Sequence, residues 1–252
     1  MLDNPRAPRV KQVAKLSQRG ARLDTGLFLL EGPQAVAEAL TYRPQLIVEL
    51  FATPTALERY SDIAAAAIDA GVDVEFATEE VIDAMADTVT PQGFIAVCNQ
   101  FPTALKEVLS EGRDGGAVKL VAILEEVRDP GNLGTIIRVA DSAGADAVII
   151  TGRSVDLYNP KVVRSTTGSL FHIPVTVGVE LADALAAARA AGLQVLAADV
   201  KGADLPEAAA AGLLTKPTAW LFGNEARGLE DEHLDMADSA VRVPIYGEAE
   251  SM

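Results

Sequence analysis

The feature that most constrains the fold is a regular alternation of short apolar segments and helical segments after residue 119. The apolar segments lie at 120–124, 147–151, 173–177, 194–198, 218–222 and 240–243. The helical segments lie at 133–143, 160–169 and 181–191. Continuously apolar strands that alternate with helices are typical of a parallel sheet covered on both faces. We therefore predict an α/β fold whose functional loops follow the carboxyl ends of the strands.

The first hundred residues show a less regular pattern, which predicts a smaller α/β domain at 1–102. A basic amphipathic stretch at 10–23 precedes predicted strands at 28–32, 46–51, 72–76 and 94–98 and predicted helices at 33–40 and 55–70. Glycines and charged residues dominate 103–118. Such a composition favours a linker. The second domain is then predicted at 119–252.

The charge of the chain is uneven. With 21 Lys and Arg against 36 Asp and Glu, the net charge is −15, which argues against a nucleic-acid partner. The first 22 residues are the exception, since they contain one acidic residue and six basic ones: Arg6, Arg9, Lys11, Lys15, Arg19 and Arg22. A solvated helix face and a segment that lies along a phosphate backbone both fit this pattern.

The residue inventory excludes several kinds of site. The single cysteine, Cys98, excludes an internal disulfide, and with only His172 and His233 beside it we predict no metal site. Cys98 is interpreted as a core residue, His172 as a structural residue at a strand edge and His233 as a solvated residue. No apolar run approaches the roughly 18–20 residues of a membrane span, and the first residues do not resemble a secretory signal. We expect a cytoplasmic protein.

Three loops after predicted strands carry the polar residues of a candidate site, and the first spans 126–138. Its Pro-Gly turn leads into a helix, with Asn132 predicted as the N-cap and Arg138 in the second turn. Capping by Asn132 and an ion pair of Arg138 would also explain these residues without a site.

The other two loops are 221–229 and 243–252. In the second loop Gly223 and Glu225 follow an apolar strand, and Gly223 is predicted to let a ligand approach bare backbone. Known phosphate signatures such as G-x-G-x-x-G and G-x-x-x-x-G-K-[ST] are absent from the sequence. Each loop by itself is an ordinary turn.

In this order and spacing, the three loops resemble the signature motifs of the SpoU family of RNA ribose 2′-O-methyltransferases. Residues 159–171 are similar to the segment that precedes a strand in that family, and 28–40 are similar to its ribosomal-protein-like substrate-binding domain. The resemblance implies a parallel-sheet trefoil-knot (SPOUT) domain preceded by a smaller α/β RNA-binding domain. It also implies a homodimer formed through the knotted domain.

The resemblance also implies S-adenosylmethionine as methyl donor, an RNA substrate and no metal. The donor is expected to contact the backbone at Ala197, Ala198, Phe222, Gly223, Ile245 and Met252. Arg138 is expected to promote deprotonation of the ribose 2′-hydroxyl, and the residues expected to position the ribose or frame the pocket are Asn132, Glu225 and Ser251. Arg153, Lys161 and Arg164 are expected to contact RNA near the active site.

The chemistry of arginine limits what Arg138 can do. A fixed guanidinium can stabilise the alkoxide that develops on a 2′-hydroxyl. Arginine is effectively never deprotonated in proteins, so it cannot serve as an ordinary base. We therefore interpret Arg138 as an electrostatic activator, with an RNA phosphate as the proton acceptor.

In the SpoU family the third motif continues beyond its serine with an apolar residue, an asparagine and a helix. Here the sequence stops at Met252, directly after Ser251. We expect the native chain to continue past Met252, and the added residues to become ordered when the donor binds.

Two other functions remain open at this level. One is a non-catalytic RNA- or ribosome-binding protein on the same scaffold, which donor affinity would distinguish from an enzyme. The other is a small-molecule α/β enzyme, suggested by the net charge of −15. For the enzyme, ribosomal RNA is the first expected substrate and transfer RNA the second.

Overall fold

The computed structural model describes residues 1–247, and contacts divide the chain into two compact units. Unit 1 comprises Met1–Phe101, Leu133–Arg138 and Asp156–His172, and unit 2 comprises Pro102–Asn132, Val139–Val155 and the chain from Ile173 onward. Two stretches of the predicted second domain therefore pack with the first hundred residues. The linker at 103–118 and the domain limits beside it stay predictions.

The sheet of unit 1 is mixed. Its strands are β1 (Leu27–Glu31), β2 (Ile47–Ala52), β3 (Val74–Phe76) and β4 (Phe94–Asn99), in the order β1-β4-β2-β3. Strand β4 runs antiparallel to β1 and β2, whereas β2 and β3 are parallel. Every strand that the sequence predicts here is present.

Six helices accompany this sheet: α1 (Pro8–Ala14), α2 (Arg19–Thr25), α3 (Pro33–Tyr42), α4 (Pro54–Arg59), α5 (Ser61–Asp69) and α6 (Glu79–Met85). The single helix predicted at 55–70 is wrong, because the backbone leaves the helical region at Tyr60 (φ −122°, ψ 59°). The ring of Tyr60 packs edge-on against Phe94 at 6.0 Å. Helix α6 was not predicted.

The basic amphipathic stretch at the start of the chain divides into an apolar and a basic face. Val10, Val13 and Leu16 are buried in the core of unit 1, where they pack with residues of β1, β2, β4 and α6. Lys11 and Lys15 lie between them in sequence and are exposed. Burial of each aliphatic side chain stabilises the fold by roughly 1.5–3 kcal/mol, so the core holds the basic face outward.

Unit 2 contains a fully parallel sheet, which confirms the predicted fold class. Its strands are β5 (Leu120–Glu125), β6 (Ala147–Thr151), β7 (Val175–Val179), β8 (Gln194–Asp204), β9 (Thr218–Phe222) and β10 (Ser239–Arg242). The order is β10-β8-β9-β5-β6-β7, and every neighbouring pair is parallel. The carboxyl ends of these strands therefore share one edge.

The remaining helices are α7 (Leu105–Val108), α8 (Pro130–Ser142), α9 (Pro160–Ser165), α10 (Leu181–Ala190), α11 (Leu205–Ala210) and α12 (Asp231–Asp235). Helix α9 belongs to unit 1 and α8 contributes to both units. The helix predicted at 160–169 ends at Ser165, because Thr167 adopts a left-handed conformation (φ 48°) before the 3₁₀ turn Ser169–Phe171. Among residues 1–247, no helix is long and apolar enough to cross a membrane.

The core of unit 2 forms where α10 packs on the sheet. Leu181, Ala184, Leu185 and Ala188 recur at helical spacing and are buried with residues of β5, β6, β8 and β9. Val108 and Val118, from the segment predicted as a linker, are buried in the same core.

Candidate active site

The candidate active site is built from loops at the carboxyl edge of the parallel sheet in unit 2. The loops after β5, β8, β9 and β10 leave neighbouring strands, because these strands are adjacent in the sheet order. The loop after β5 leads into α8, which carries Asn132 and Arg138, and the loop after β9 carries Gly223 and Glu225. The strand order thus brings together loops that are far apart in sequence.

Helix α8 begins at the end of the first loop, and Asp129 is its N-cap. The side chain of Asp129 accepts a hydrogen bond of 2.8 Å from the backbone N–H of Asn132, and Pro130 occupies the first helical position. The prediction of Asn132 as the N-cap is therefore wrong. An Asp-Pro pair at a helix start is itself a sequence signal for the observed arrangement. Asn132 lies in the first turn and is exposed.

Arg138 lies on the same helix as Asn132. Because α8 begins three residues earlier than predicted, Arg138 falls in its third turn, where its side chain is exposed. Helix α8 also crosses α9 at very short range. A Cβ at Gly134 would lie 2.5 Å from the Cβ of Ser165 and 2.7 Å from the carbonyl oxygen of Val162. Glycine at this position therefore permits the helix crossing.

The loop after β9 closes as a tight turn. Asn224 and Gly228 exchange backbone hydrogen bonds of 3.0 and 2.7 Å. A Cβ at Gly223 would lie 2.4 Å from the carbonyl carbon of Gly228. The loop's own backbone therefore fills the space that a side chain at Gly223 would need, and the approach of a ligand to the backbone of Gly223 stays a prediction.

Glu225 joins the loop after β9 to the loop after β5. Its carboxylate accepts hydrogen bonds from the backbone N–H groups of Arg128, at 3.2 Å, and Asp129, at 2.5 Å. These donors directly precede α8. The contacts suit a residue that fixes the start of this helix, and any role of Glu225 towards the ribose stays a prediction.

The residues predicted to hold the donor follow three adjacent strands. Ala197 is buried in β8, and the pairing of β8 with β10 jumps from Ala197 to Ala203, which leaves 198–202 as a bulge. Gly202 allows close approach there, since its Cβ would lie 2.4 Å from the backbone of Ala240.

The other predicted donor contacts lie close to this bulge in the sheet order. Ala198 is half-buried within β8 where the bulge begins, Phe222 and Gly223 are half-buried at the end of β9, and Ile245 is exposed after β10. Backbone groups at this bulge and at the ends of the two neighbouring strands fit a donor that is held by main-chain contacts. Ser251 and Met252 lie outside the described residues.

The structure corrects the RNA-binding prediction for Arg22. This side chain is only 2% exposed, and its guanidinium lies 2.7 Å from the carboxylate of Asp156. It also donates hydrogen bonds of 2.8 Å to the carbonyl oxygens of Leu16 and Ser17. Arg22 therefore attaches Asp156 and the segment that follows it to the first helices within unit 1.

The remaining basic residues at the start of the chain face solvent. Arg6, Lys11, Lys15 and Arg19 are exposed. Arg9 is partly exposed and forms ion pairs with Glu49 and Glu75. Partial burial opposes its charge, but the hydrogen bonds and charges of the two carboxylates prevail and raise the pKa of Arg9.

The three basic residues predicted near the active site differ in exposure. Arg153 and Lys161 are exposed. Arg164 is half-buried and lies 3.0 Å from the carboxylate of Asp87 and 3.5 Å from that of Glu31. These ion pairs hold Arg164 against the first domain within unit 1.

His172, His233 and Cys98 are all buried or half-buried. His172 lies 2.9 Å from the carboxylate of Glu38, in agreement with its predicted structural role. The prediction of a solvated His233 is wrong, because this residue is half-buried with Nδ1 4.0 Å from Glu125. Cys98 is buried in β4 as predicted, and burial raises the pKa of its thiol to about 12. Within 1–247, no three His, Cys, Asp or Glu residues are grouped as metal ligands.

Glu126, the first residue of the first loop, has a role that the sequence did not predict. Its backbone is left-handed (φ 54°), a conformation that is uncommon for residues other than glycine. Its carbonyl oxygen accepts a hydrogen bond of 2.8 Å from the side-chain amide of Asn224. Nothing local in the sequence signals this contact, because it joins two loops that are distant in the chain.

Comparisons with known proteins agree with the architecture of both units. The SpoU rRNA methylase family matches residues 119–252, and the family described as RNA 2′-O ribose methyltransferase substrate binding matches residues 29–104. The 23S rRNA (guanosine(2553)-2′-O)-methyltransferase RlmP of Bacillus subtilis is 31% identical over 255 residues. That match covers 100% of this chain and 93% of the relative.

Two solved structures extend the similarity to the fold. An AdoMet-bound rRNA methyltransferase from Sinorhizobium meliloti has a TM-score of 0.81 and 31% identity, covering 100% of this chain and 91% of that one. The SpoU methyltransferase AviRb from Streptomyces viridochromogenes, in complex with AdoMet, has a TM-score of 0.76 and 27% identity. It covers 98% of this chain and 92% of its own.

The resemblance seen in the three motifs is thereby confirmed over the full length of the chain. The match to the family covers more than half of the residues and includes the sheet edge that carries the candidate site. The chain belongs to the SpoU family of RNA ribose 2′-O-methyltransferases.

Proposed function

We propose that this protein transfers the methyl group of S-adenosylmethionine to the 2′-oxygen of a ribose in ribosomal RNA. The observation that carries the proposal is the junction of the first two motifs. Glu225 binds the two backbone N–H groups that precede α8, and α8 carries Asn132 and Arg138. The named B. subtilis relative acts on 23S rRNA, which supports ribosomal RNA as the substrate.

S-adenosylmethionine supplies an activated methyl group when it is bound. The backbone beside the bulge of β8 and at the ends of β9 and β10 would hold it, at Ala197, Ala198, Phe222, Gly223 and Ile245. Residues 198–202 in the bulge have no partner in β10, and main-chain groups without a strand partner can bind a polar ligand. Both solved structures named above are described with AdoMet bound.

Arg138 activates the ribose in this proposal. Its exposed guanidinium stabilises negative charge on the 2′-oxygen as the proton leaves, which favours attack on the methyl group. A phosphate of the RNA accepts the proton, because arginine keeps its own. Asn132, in the first turn of the same helix, helps to orient the ribose.

RNA docking is assigned to residues 1–102. Four exposed basic side chains near the amino terminus, Arg6, Lys11, Lys15 and Arg19, would neutralise backbone phosphates. Arg153 and Lys161 would do so near the reacting nucleotide. The match of residues 29–104 to an RNA methyltransferase substrate-binding family supports this assignment.

The assembly and location of the protein follow from the same assignment. We propose a cytoplasmic homodimer formed through the methyltransferase domain, with the trefoil knot that is expected in this class. The region 248–252, which the third motif includes, lies outside the described residues.

The deciding experiment combines methyl transfer with donor binding. Purified protein is incubated with tritiated S-adenosylmethionine and either ribosomal RNA or transfer RNA, and ribose methylation is then mapped in cells with and without the gene. We expect label in ribosomal RNA and one or more ribose sites that disappear with the gene. Label only in transfer RNA would replace the proposed substrate.

Two outcomes would contradict the enzyme itself. RNA binding without measurable donor affinity would favour the non-catalytic RNA-binding protein. Donor binding without RNA affinity at low salt would favour a small-molecule enzyme.

A further inference from the structure

Two carboxylates join the loops after β5 and β9, and each loop contributes one of them. Glu225, in the loop after β9, binds backbone N–H groups of the loop after β5. Glu126, in the loop after β5, lies 2.9 Å from the guanidinium of Arg227 in the loop after β9. Each of the two carboxylates therefore contacts the loop to which it does not belong.

Glu126 is the centre of the second contact. Its Oε2 accepts hydrogen bonds from the guanidinium groups of both Arg128, at 3.0 Å, and Arg227, at 2.9 Å. Its backbone oxygen accepts a third bond from the side chain of Asn224, at 2.8 Å. Two flexible arginines are thus held by one carboxylate.

The contacts of Glu126 require a strained backbone conformation. At φ 54° the residue lies in the left-handed region, which glycine enters without strain and glutamate does not. Strained conformations persist where surrounding contacts hold them, and they cluster at functional sites. Glycine would relieve the strain, but it would also remove the carboxylate.

Folding stability does not explain the ion pairs of Glu126 with Arg128 and Arg227. The side chains of Arg128 and Arg227 are 53% and 56% exposed, and exposed ion pairs contribute little to stability. The contacts instead limit the movement of the residues between β5 and α8. Methyl transfer is sensitive to such movement, because small displacements of reacting groups lower rates strongly.

We propose that Glu126 and Arg227 are positioning residues for methyl transfer. Together with Glu225 they form a reciprocal clamp between the two loops. The clamp fixes the backbone before α8, and so fixes the direction in which this helix presents Asn132 and Arg138. The inference rests on the proposed methyltransferase activity.

The test uses Glu126→Gly, because this change removes the carboxylate and fits the observed backbone. We expect kcat for RNA methylation to fall about tenfold, with the donor Kd and the KM for RNA within about twofold of wild type. The melting temperature should stay equal or rise, because backbone strain is relieved. Arg227→Ala should show the same pattern, and Arg227→Lys should restore part of the rate.

Non-additivity provides the second readout. Glu126→Gly and Arg227→Ala remove the same contact, so the double variant should be no slower than the slower single variant. Hydrogen exchange of peptides that cover 127–132 should accelerate in Glu126→Gly. This measurement does not depend on catalysis.

Arg189→Ala is the matched control. Arg189, in α10, forms an exposed ion pair of 2.9 Å with Asp238, directly before the amino end of β10 and away from α8. It should leave kcat and the exchange of 127–132 unchanged.

Different results overturn the clamp and the proposed function. Wild-type kcat and wild-type exchange in Glu126→Gly would overturn the clamp, as would independent losses that multiply in the double variant. A wild-type protein that methylates no RNA would overturn the proposed function, and the exchange experiment would still report on the clamp.

Discussion

The two units place functional residues in different ways. In unit 2 all neighbouring strands are parallel, so the loops after β5, β8, β9 and β10 meet at one edge. In unit 1, β4 runs antiparallel to both of its neighbours, and no single edge collects the loops. The candidate residues of unit 1 instead lie on helix surfaces and on the inserted segment, Asp156–His172, which comes from later in the chain.

The two units also hold their charged groups in different ways. Carboxylates of unit 2 bind the loops to one another, as Glu225 does with the backbone before α8. Unit 1 uses ion pairs, such as Arg22 with Asp156, to attach the inserted segment. Its remaining basic residues near the amino terminus are mostly exposed. The loops suited to catalysis are therefore concentrated in unit 2, and the exposed basic residues suited to RNA docking are concentrated in unit 1.

Arg138 is the exception to this division, because contacts assign it to unit 1 although its helix begins in unit 2. Arg138→Ala should lower methyl transfer by about 100-fold or more, while donor binding stays close to wild type. Arg138→Lys should also fail, since an ammonium does not reproduce the planar guanidinium. Single-turnover methylation and donor titration measure both quantities, and near-normal turnover would remove Arg138 from the mechanism.

Arg22 tests whether the inserted segment depends on its buried ion pair. Arg22→Ala leaves Asp156 without its charge partner, so we expect a loss of about 3 kcal/mol in the free energy of unfolding. Arg19→Ala, on the same helix but exposed, is the control and should change stability little. Denaturant unfolding of both variants provides the comparison. Equal stabilities would mean that the pair does not anchor the segment.

RNA affinity tests whether docking depends on the exposed basic residues of unit 1. Replacing Arg6, Lys11, Lys15 and Arg19 with alanine should weaken RNA binding about tenfold at low salt and reduce its salt dependence. A control with four exposed basic residues of unit 2 replaced, Lys106, Arg113, Lys119 and Lys216, should have a smaller effect. Titrations at several salt concentrations separate the two, and equal losses would show that only net charge matters.

The pH dependence that we expect from Cys98 is the smallest effect, and it concerns the stability of unit 1 alone. Burial raises the pKa of its thiol to about 12 in the folded state, above that of an unfolded thiol near 8.5. The stabilisation is therefore complete below the unfolded pKa and is lost as pH rises towards the folded one. Relative to Cys98→Ala, stability should fall by about 1 kcal/mol between roughly pH 8 and 9.5. Parallel pH profiles for the two proteins would contradict this.

The sequence predicts the regular part of the molecule well, for reasons that the cores make clear. Apolar runs such as 147–151 and 218–222 coincide with β6 and β9, because a strand buried on both faces needs continuous apolar residues. The start of α8 was misplaced, although Asp129-Pro130 is a local signal. The break at Tyr60 was missed because it depends on packing against Phe94, which is distant in sequence.

For the candidate site, the amino-acid sequence indicated which loops matter and which residue types they carry. The strands and the parallel sheet follow from apolar runs and from their alternation with helices, which are local properties of the chain, whereas the order of the strands is a tertiary property. The packing of the loops in space established that Glu225 reaches the backbone before α8 and that Glu126 holds Arg227. It likewise decided that Arg22 is buried while Arg19 is exposed. These outcomes depend on which loops and helices meet in space, and a residue's identity does not encode its distant neighbour.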